Sequence, residues 1–157
     1  MIEREKNPEQ KRKELPPTMV VVRSFIEDDE GKILILQRKD DTQHNPSKWE
    51  LPGGTVEKWQ ANIFETIETE ILEETGFLVS IEDKYRAVTI SKRLFEGPYS
   101  GLFYLEHVYR ARLLKGKFRL SPDHQGFDWR HPEEALNQSL SPEARIAITY
   151  HMGLISK

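Results

Sequence analysis

The sequence predicts a single mixed α+β domain, and three observations support this fold class. Its 157 residues match the usual length of one domain. Segments with strand composition and segments with helical periodicity occur in the order strands, helix, strands, helix. The chain contains neither an internal repeat nor a low-complexity stretch that would indicate a repeat or fibrous protein. We therefore expect one compact domain with its own hydrophobic core.

The composition excludes several functional classes. The chain has no cysteine, so disulfides, thiol catalysis and cysteine-held metal centres are ruled out. Its longest apolar runs have four residues, far below the about 18 needed to cross a bilayer, and its start lacks an apolar signal region. We expect no membrane partner and take the cytoplasm as the default location. The net charge of -3 argues against a nucleic-acid partner.

The first 17 residues differ from the rest of the chain. They are charged at nearly every second position, with acids and bases mixed, and they end in Pro16-Pro17, which disfavours helix at the preceding residue. We predict a flexible amino-terminal arm over residues 1–17 and a domain over residues 18–157.

Strand composition recurs along the domain. β-branched or alternating apolar residues, bounded by turn-forming residues, predict extended segments. These segments cover residues 18–26, 32–37, 49–51, 77–81, 85–91, 102–113 and 127–130. Between the third and fourth of them, Pro52-Gly53-Gly54 is expected to interrupt regular structure.

Two helices are predicted from periodicity and capping residues. Apolar residues recur at helical spacing from residue 61 to residue 75, and Gly76 follows where a helix carboxyl-terminal cap favours glycine. Ser141-Pro142-Glu143 has the composition of a helix start, and Gly153 is expected to end that helix. A short helical turn is expected after His131.

The first helix carries an unbalanced set of carboxylates. Seven acids and no lysine or arginine lie between Trp59 and residue 83. At about 100° per residue, Glu70, Glu73 and Glu74 share an arc that overlaps the edge of the apolar face. Such carboxylates repel one another unless a hard divalent cation such as Mg²⁺ or Mn²⁺ binds them. The alternative is an ordinary acidic helix face in contact with solvent.

The residues around this helix resemble the signature of a known family. Residues 51–57 read LPGGTVE and residues 70–77 read EILEETGF, which is similar to the Nudix hydrolase motif G-x5-E-x7-R-E-U-x-E-E-x-G-U, with U apolar. The resemblance implies a Nudix-type α/β/α sandwich with a mixed sheet. It also implies metal-assisted attack of water on a phosphorus of a nucleoside diphosphate linked to another moiety.

Carried over position by position, the resemblance names the site. Glu70, Glu73 and Glu74 match the metal-binding glutamates, the Gly54 carbonyl can join the metal shell, and Glu73 and Glu74 are the candidate catalytic residues. Arg23 and Arg38 are candidate substrate-binding residues that could contact a phosphate. A surface salt bridge is the alternative role for either arginine.

The chain also departs from the family motif. One residue is inserted, which we place near residues 58–60, so the first motif glutamate falls on Gln60 or Ala61. Thr69 stands where the motif has an arginine that would orient and partly neutralise the cluster. The loop of residues 121–126 lacks the glutamate that some members use as a base, which leaves Asp123, His124 or Glu73 as candidates.

We therefore predict an enzyme, a Nudix-type pyrophosphohydrolase that uses Mg²⁺ or Mn²⁺ on a small nucleotide-type substrate. The alternative from another class is a catalytically impaired Nudix-like domain that binds or senses a nucleotide, which the missing arginine and glutamate favour. A third reading is an acidic protein-interaction domain. Loops 40–47 and 93–100 would set substrate selectivity, and the pattern leaves a homodimer open.

Overall fold

The computed structural model of the chain describes residue 7 and residues 17–57, 62–82, 88–97 and 99–155. Eight strands and three helices lie within these residues. They are β1 (Thr18–Glu27), β2 (Ile33–Arg38), β3 (Trp49–Glu50), β4 (Gly53–Thr55), α1 (Ile63–Thr75), β5 (Phe77–Ile81), β6 (Val88–Arg93), β7 (Phe103–Gly116), β8 (His124–Arg130), α2 (Pro132–Ala135) and α3 (Pro142–Ile155).

The strands form one mixed sheet. Its centre is the parallel pair β1 and β7, which runs in register from Thr18 opposite Phe103 to Glu27 opposite Arg112. β5 and β6 both pair antiparallel with β7. On the other side of β1, β4 and β2 pair antiparallel with it, and β2 also pairs with β3 and β8. The mixed pairing confirms the predicted class of sheet.

A helix packs on each face of the sheet. Val22 and Ile26 of β1 point to one face, where they form a core with the apolar side of α1. Phe25 points to the other face, where it forms a second core with α3. This alternation follows from the two-residue repeat of a strand. The resulting α/β/α sandwich agrees with the predicted architecture.

Within the described residues the predicted elements are found, with three corrections. β7 and β8 are longer than expected, since β7 continues to Gly116 and β8 already begins at His124. Gly153 does not end the last helix, which continues through it to Ile155. Gly53 and Gly54 do not interrupt regular structure, because they form strand β4 beside β1.

Some expectations fall outside the described residues. These are the amino-terminal arm apart from Asn7 and Pro17, the inserted segment 58–60, Ala61, and the first residues of the strand expected at 85–91. The proposed boundary between the arm and the domain therefore stays a prediction.

Local bonds at both ends fix the position of α1. The Asn62 side chain accepts hydrogen bonds from the amides of Phe64 (2.9 Å) and Glu65 (3.3 Å). Gly76 ends the helix in the left-handed conformation at φ 77°, and its amide donates to the Leu72 carbonyl. The helix that carries Glu70, Glu73 and Glu74 thus begins and ends at defined residues.

Candidate active site

Residues 51–54, called the glycine turn from here on, bend at Pro52 into β4 and lie directly against the central strand. Gly53 pairs with Arg23 and Gly54 pairs with Val22, while the Ser24 amide donates to the Pro52 carbonyl. Gly53 has a φ of 151°, and a Cβ there would overlap the Val22 carbonyl oxygen and lie 2.6 Å from Arg23 Cα. The residue is glycine because strand β1 occupies the space of any side chain.

Two carboxylates of α1 meet this turn. The Gly53 amide donates to Glu74 Oε2 at 3.0 Å. A Cβ on Gly54 would lie 2.7 Å from Glu70 Cδ and Oε2, so the Glu70 carboxyl packs against Gly54. Residues four apart lie on the same side of a helix. The structure therefore places Glu70 and Glu74 against the two glycines, and their role as metal ligands stays a prediction.

Neither carboxylate has enough positive charge near it to offset the effect of burial and of the neighbouring acids on its pKa. Burial raises the pKa of Glu74 to about 8, and nearby Glu50 and Glu70 act in the same direction against the charge of Arg23 and the Gly53 hydrogen bond. Burial also raises the pKa of Glu70, helped by the charges of Glu73 and Glu57. A divalent cation would relieve this repulsion, and carboxylate oxygens are its preferred donors.

Glu73 stands apart from the other two glutamates. Its side chain is exposed to solvent, although its charge reaches Glu70. Over the described part of the chain, no three His, Asp or Glu side chains converge closely enough to hold a metal ion. The donor chemistry fits a hard cation at Glu70 and Glu74, and binding by all three glutamates stays a prediction.

Arg23 connects three parts of the sheet next to the turn. Its Nε donates to Glu106 Oε1 of β7 at 2.8 Å, and its Nη1 donates to the Leu51 carbonyl at 2.8 Å. Its Nη2 lies 3.4 Å from Glu50 Oε2 of β3. Only 16% of the Arg23 side chain is exposed. Its role as a substrate-binding residue stays a prediction.

Glu50 is the shared carboxylate of a buried polar cluster. Besides Arg23, it is bonded by Arg38 Nη1 (3.3 Å to each oxygen) and by His124 Nε2 (3.0 Å). Burial alone would raise the pKa of Glu50, but Arg23, His124 and Arg38 hold it at about 2. Arg38 also donates from Nε to the His44 carbonyl at 2.8 Å.

The candidate bases lie in different environments. His124 is buried, and its two ring nitrogens contact Ser121 Oγ (2.8 Å) and Glu50 Oε1 (3.0 Å). Asp123 and Glu73 are both exposed. The geometry leaves Glu73 better placed than His124 to meet a water molecule, because both nitrogens of His124 already have protein partners.

A cleft of about 180 Å³ opens beside the turn. Thr55, which follows Gly54, lies on its wall together with Arg23 and Arg38. His44 and Tyr99 border the same space. Both predicted substrate-binding arginines thus line one cleft adjoining the glycine turn.

The sequence reasoning missed Glu50, Glu106 and Tyr104. Glu106 is almost fully buried on β7, between the buried residues Tyr104 and Val108, and the Tyr104 hydroxyl donates to Glu106 Oε1 at 2.9 Å. A charged residue alternating with apolar ones on the buried face was a usable signal. Glu50 had no such signal, because it directly precedes the motif and all its partners are distant in sequence.

Substitution of Gly54 tests the contact between the turn and the helix. We expect Gly54→Ala to lower turnover about tenfold or more, because the new methyl group displaces the Glu70 carboxyl. Since that carboxyl ends a flexible side chain, the free energy of unfolding should fall by less than about 1 kcal/mol. Steady-state kinetics and urea unfolding measure the two effects. If the loss of turnover only matched a loss of folded protein, the effect of the substitution would not be local.

Comparisons with known proteins agree with this geometry. The family model of the NUDIX domain matches residues 17–150. Among solved structures, the Escherichia coli ORF135 protein has 25% identity and a TM-score of 0.73, covering 90% of this chain and 93% of that one. The MutT NUDIX hydrolase from Burkholderia pseudomallei has 28% identity and a TM-score of 0.64, covering 84% and 96%.

The MutT protein from Methanosarcina mazei Go1 shares the fold with a TM-score of 0.76 at 24% identity, covering 90% of this chain and 98% of that one. A search of curated protein sequences found no match. The chain belongs to the Nudix hydrolase family, which cleaves pyrophosphate bonds in nucleoside diphosphate derivatives. The predicted family, fold and enzyme class are confirmed.

No helix in the described part of the chain is both long and apolar enough to cross a bilayer.

Proposed function

We propose that this Nudix protein is a Mg²⁺- or Mn²⁺-dependent hydrolase that cleaves a pyrophosphate bond in a small nucleotide-type substrate. The observation that carries the proposal is the pair Glu70 and Glu74, two partly buried carboxylates with raised pKa values placed against one glycine turn. Two neighbouring carboxylates without enough counter-charge are costly to bury, and a divalent cation gives the arrangement a use.

The proposed ligands of the cation are Glu70, Glu73, Glu74 and the Gly54 carbonyl. When bound, the ion would neutralise phosphate charge and make a bound water more acidic. The protein's own part in the reaction is to orient that water and accept its proton. Glu73 is exposed and Glu74 lies at the turn, so these two are the proposed catalytic residues.

The bond changes follow from the family reaction. The water oxygen forms a bond to one phosphorus, the bridging oxygen leaves with the other phosphate, and the water proton moves to a carboxylate. Arg38 and Arg23 line the adjoining cleft, and we propose that Arg38, the more exposed of the two, favours the binding of the phosphate chain there by its positive charge.

The second candidate is a nucleotide-binding or regulatory domain without turnover. It is favoured by Thr69 in place of the motif arginine and by the absence of a converged three-carboxylate cluster over the described ranges. With either function, three statements stay predictions. They are the cytoplasmic location, the use of Mg²⁺ or Mn²⁺, and the possible homodimer.

The deciding experiment measures phosphate or nucleotide release from nucleoside triphosphates, dinucleoside polyphosphates and nucleotide sugars. Each is incubated with Mg²⁺ or Mn²⁺, with a chelator, and with metal restored. We expect turnover of at least one substrate that the chelator removes and added metal restores. If none is hydrolysed, but metal plus a nucleotide raises the melting temperature, the binding-domain function replaces the hydrolase.

A pair of matched variants distinguishes the activity of this protein from that of a contaminating enzyme. Glu68 lies on the same helix as the candidate ligands, and its side chain is exposed. Glu68→Gln should keep wild-type turnover, whereas Glu73→Gln should lose most of it. Equal activity of the two variants would remove Glu73 from the proposed site.

A further inference from the structure

We propose that Arg23 is the positioning residue of this site: it holds the glycine turn in place from the sheet, in a chain whose helix lacks the motif arginine. The inference rests on the proposed function, because it assigns how Glu74 is presented to the metal and water. It differs from the role expected for Arg23 in direct substrate binding.

Helix α1 does not supply a positively charged side chain to the site. Thr69 replaces the motif arginine, and the helix sequence IFETIETEILEET contains no basic residue. Arg23 reaches the same region from strand β1, and its charge acts on both Glu74 and Glu70. A positive group next to the carboxylates is therefore retained, but it comes from a different element.

The contacts of Arg23 fix the turn on two sides. Its Nη1 holds the Leu51 carbonyl at 2.8 Å, at the start of the turn. Its side chain also lies under Gly53, since a Cβ on Gly53 would be 2.8 Å from Arg23 Cγ. The Gly53 amide in turn donates to Glu74 Oε2 at 3.0 Å. Arg23 thus acts on Glu74 through the backbone of the turn.

The remaining donors of Arg23 hold the guanidinium itself in place. Nε bonds Glu106 Oε1 at 2.8 Å and Nη2 lies 3.4 Å from Glu50 Oε2. Both carboxylates are buried, and Glu50 is also bonded by Arg38 and His124. A planar fork engaged in three directions is rigid and specific. This geometry suits a fixed support better than a mobile substrate contact.

The test compares Arg23→Met with Arg110→Met. Arg110 is the matched control, because it is also a partly buried arginine paired with carboxylates, Glu27 and Glu82, but none of these lies in the turn. The first readout is amide hydrogen exchange in metal-free protein, followed by NMR at Gly53 and, as an internal reference, at Ile71 inside α1. The second readout separates kcat from KM on a substrate found active.

In Arg23→Met we expect exchange at Gly53 to accelerate about tenfold or more, with Ile71 unchanged. We expect kcat to fall about 10- to 100-fold while KM stays within about threefold. Arg110→Met should leave both readouts at wild-type values. Unchanged exchange at Gly53, or a raised KM with unchanged kcat, would overturn the positioning role and favour direct substrate binding.

Two further variants cover a failure of Arg23→Met to fold. Arg23→Lys keeps the charge but cannot reach three acceptors with one ammonium group, so an intermediate acceleration at Gly53 is expected. Arg23→Met with Glu106→Gln reduces the unpaired buried charge and should still lose protection at Gly53. Because the exchange experiment needs no metal or substrate, its result decides the role of Arg23 even if the hydrolase function fails.

Discussion

Glu74→Gln should lower kcat by about 100-fold or more, since removal of a group that accepts or orients a proton costs about 10²- to 10⁴-fold. The substitution is conservative in shape. Glutamine keeps a side-chain oxygen that can accept the hydrogen bond from the Gly53 amide. The charge is lost while the turn keeps its partner, so a loss of activity reports on the carboxylate itself.

The loss of activity in Glu74→Gln should not come from a loss of stability. A neutral amide is cheaper to bury than a carboxylate without counter-charge, so Glu74→Gln should melt at or above the wild-type temperature in metal-free buffer. Glu68→Gln, on the exposed side of the same helix, should match the wild type in both assays. Full activity of Glu74→Gln would exclude this carboxylate from the chemistry.

Gly53→Ala should reduce the free energy of unfolding by about 3 kcal/mol, because it combines backbone overlap with a conformation that favours glycine. The new Cβ would overlap the Val22 carbonyl oxygen and lie 2.6 Å from Arg23 Cα. Neither atom can move alone, since both belong to the central strand of the sheet. Urea unfolding followed by circular dichroism measures the change.

Gly31→Ala is a control that has a positive φ but no backbone overlap. Gly31 also has a positive φ of 79°, but a Cβ there would meet no atom within 4 Å. It should cost about 1 to 2 kcal/mol, which is the cost of the left-handed conformation for a residue with a Cβ. If Gly53→Ala were no more destabilising than Gly31→Ala, this result would contradict the close contact between Gly53 and the backbone of β1.

Much of the fold could be predicted because its signals are local. Alternating and β-branched residues marked the strands, and the four-residue spacing of Ile63, Ile67 and Ile71 marked the buried side of α1. Gly76 was recognised as a cap because a left-handed residue ends many helices. Gly153 failed as a similar signal, since glycine is also tolerated inside a helix that packing stabilises.

The candidate site was predictable only in the part that is contiguous in sequence. Glu70 and Glu74 are four residues apart on one helix, so local geometry alone places them together. The use of Gly53 and Gly54 as a strand was not predictable, because it depends on the backbone of β1, which lies about 30 residues earlier in the chain.

What the sequence by itself determined is the family, the mixed α/β architecture and the pairing of a glycine turn with a carboxylate helix. The tertiary structure alone decided that Arg23 meets Glu106, 83 residues away, and that Glu50 meets His124, 74 residues away. The physical reason is that periodicity and capping act within a few turns of chain. Buried ion pairs instead depend on which strands become neighbours, and here the parallel pairing of β1 with β7 brings Arg23 and Glu106 together.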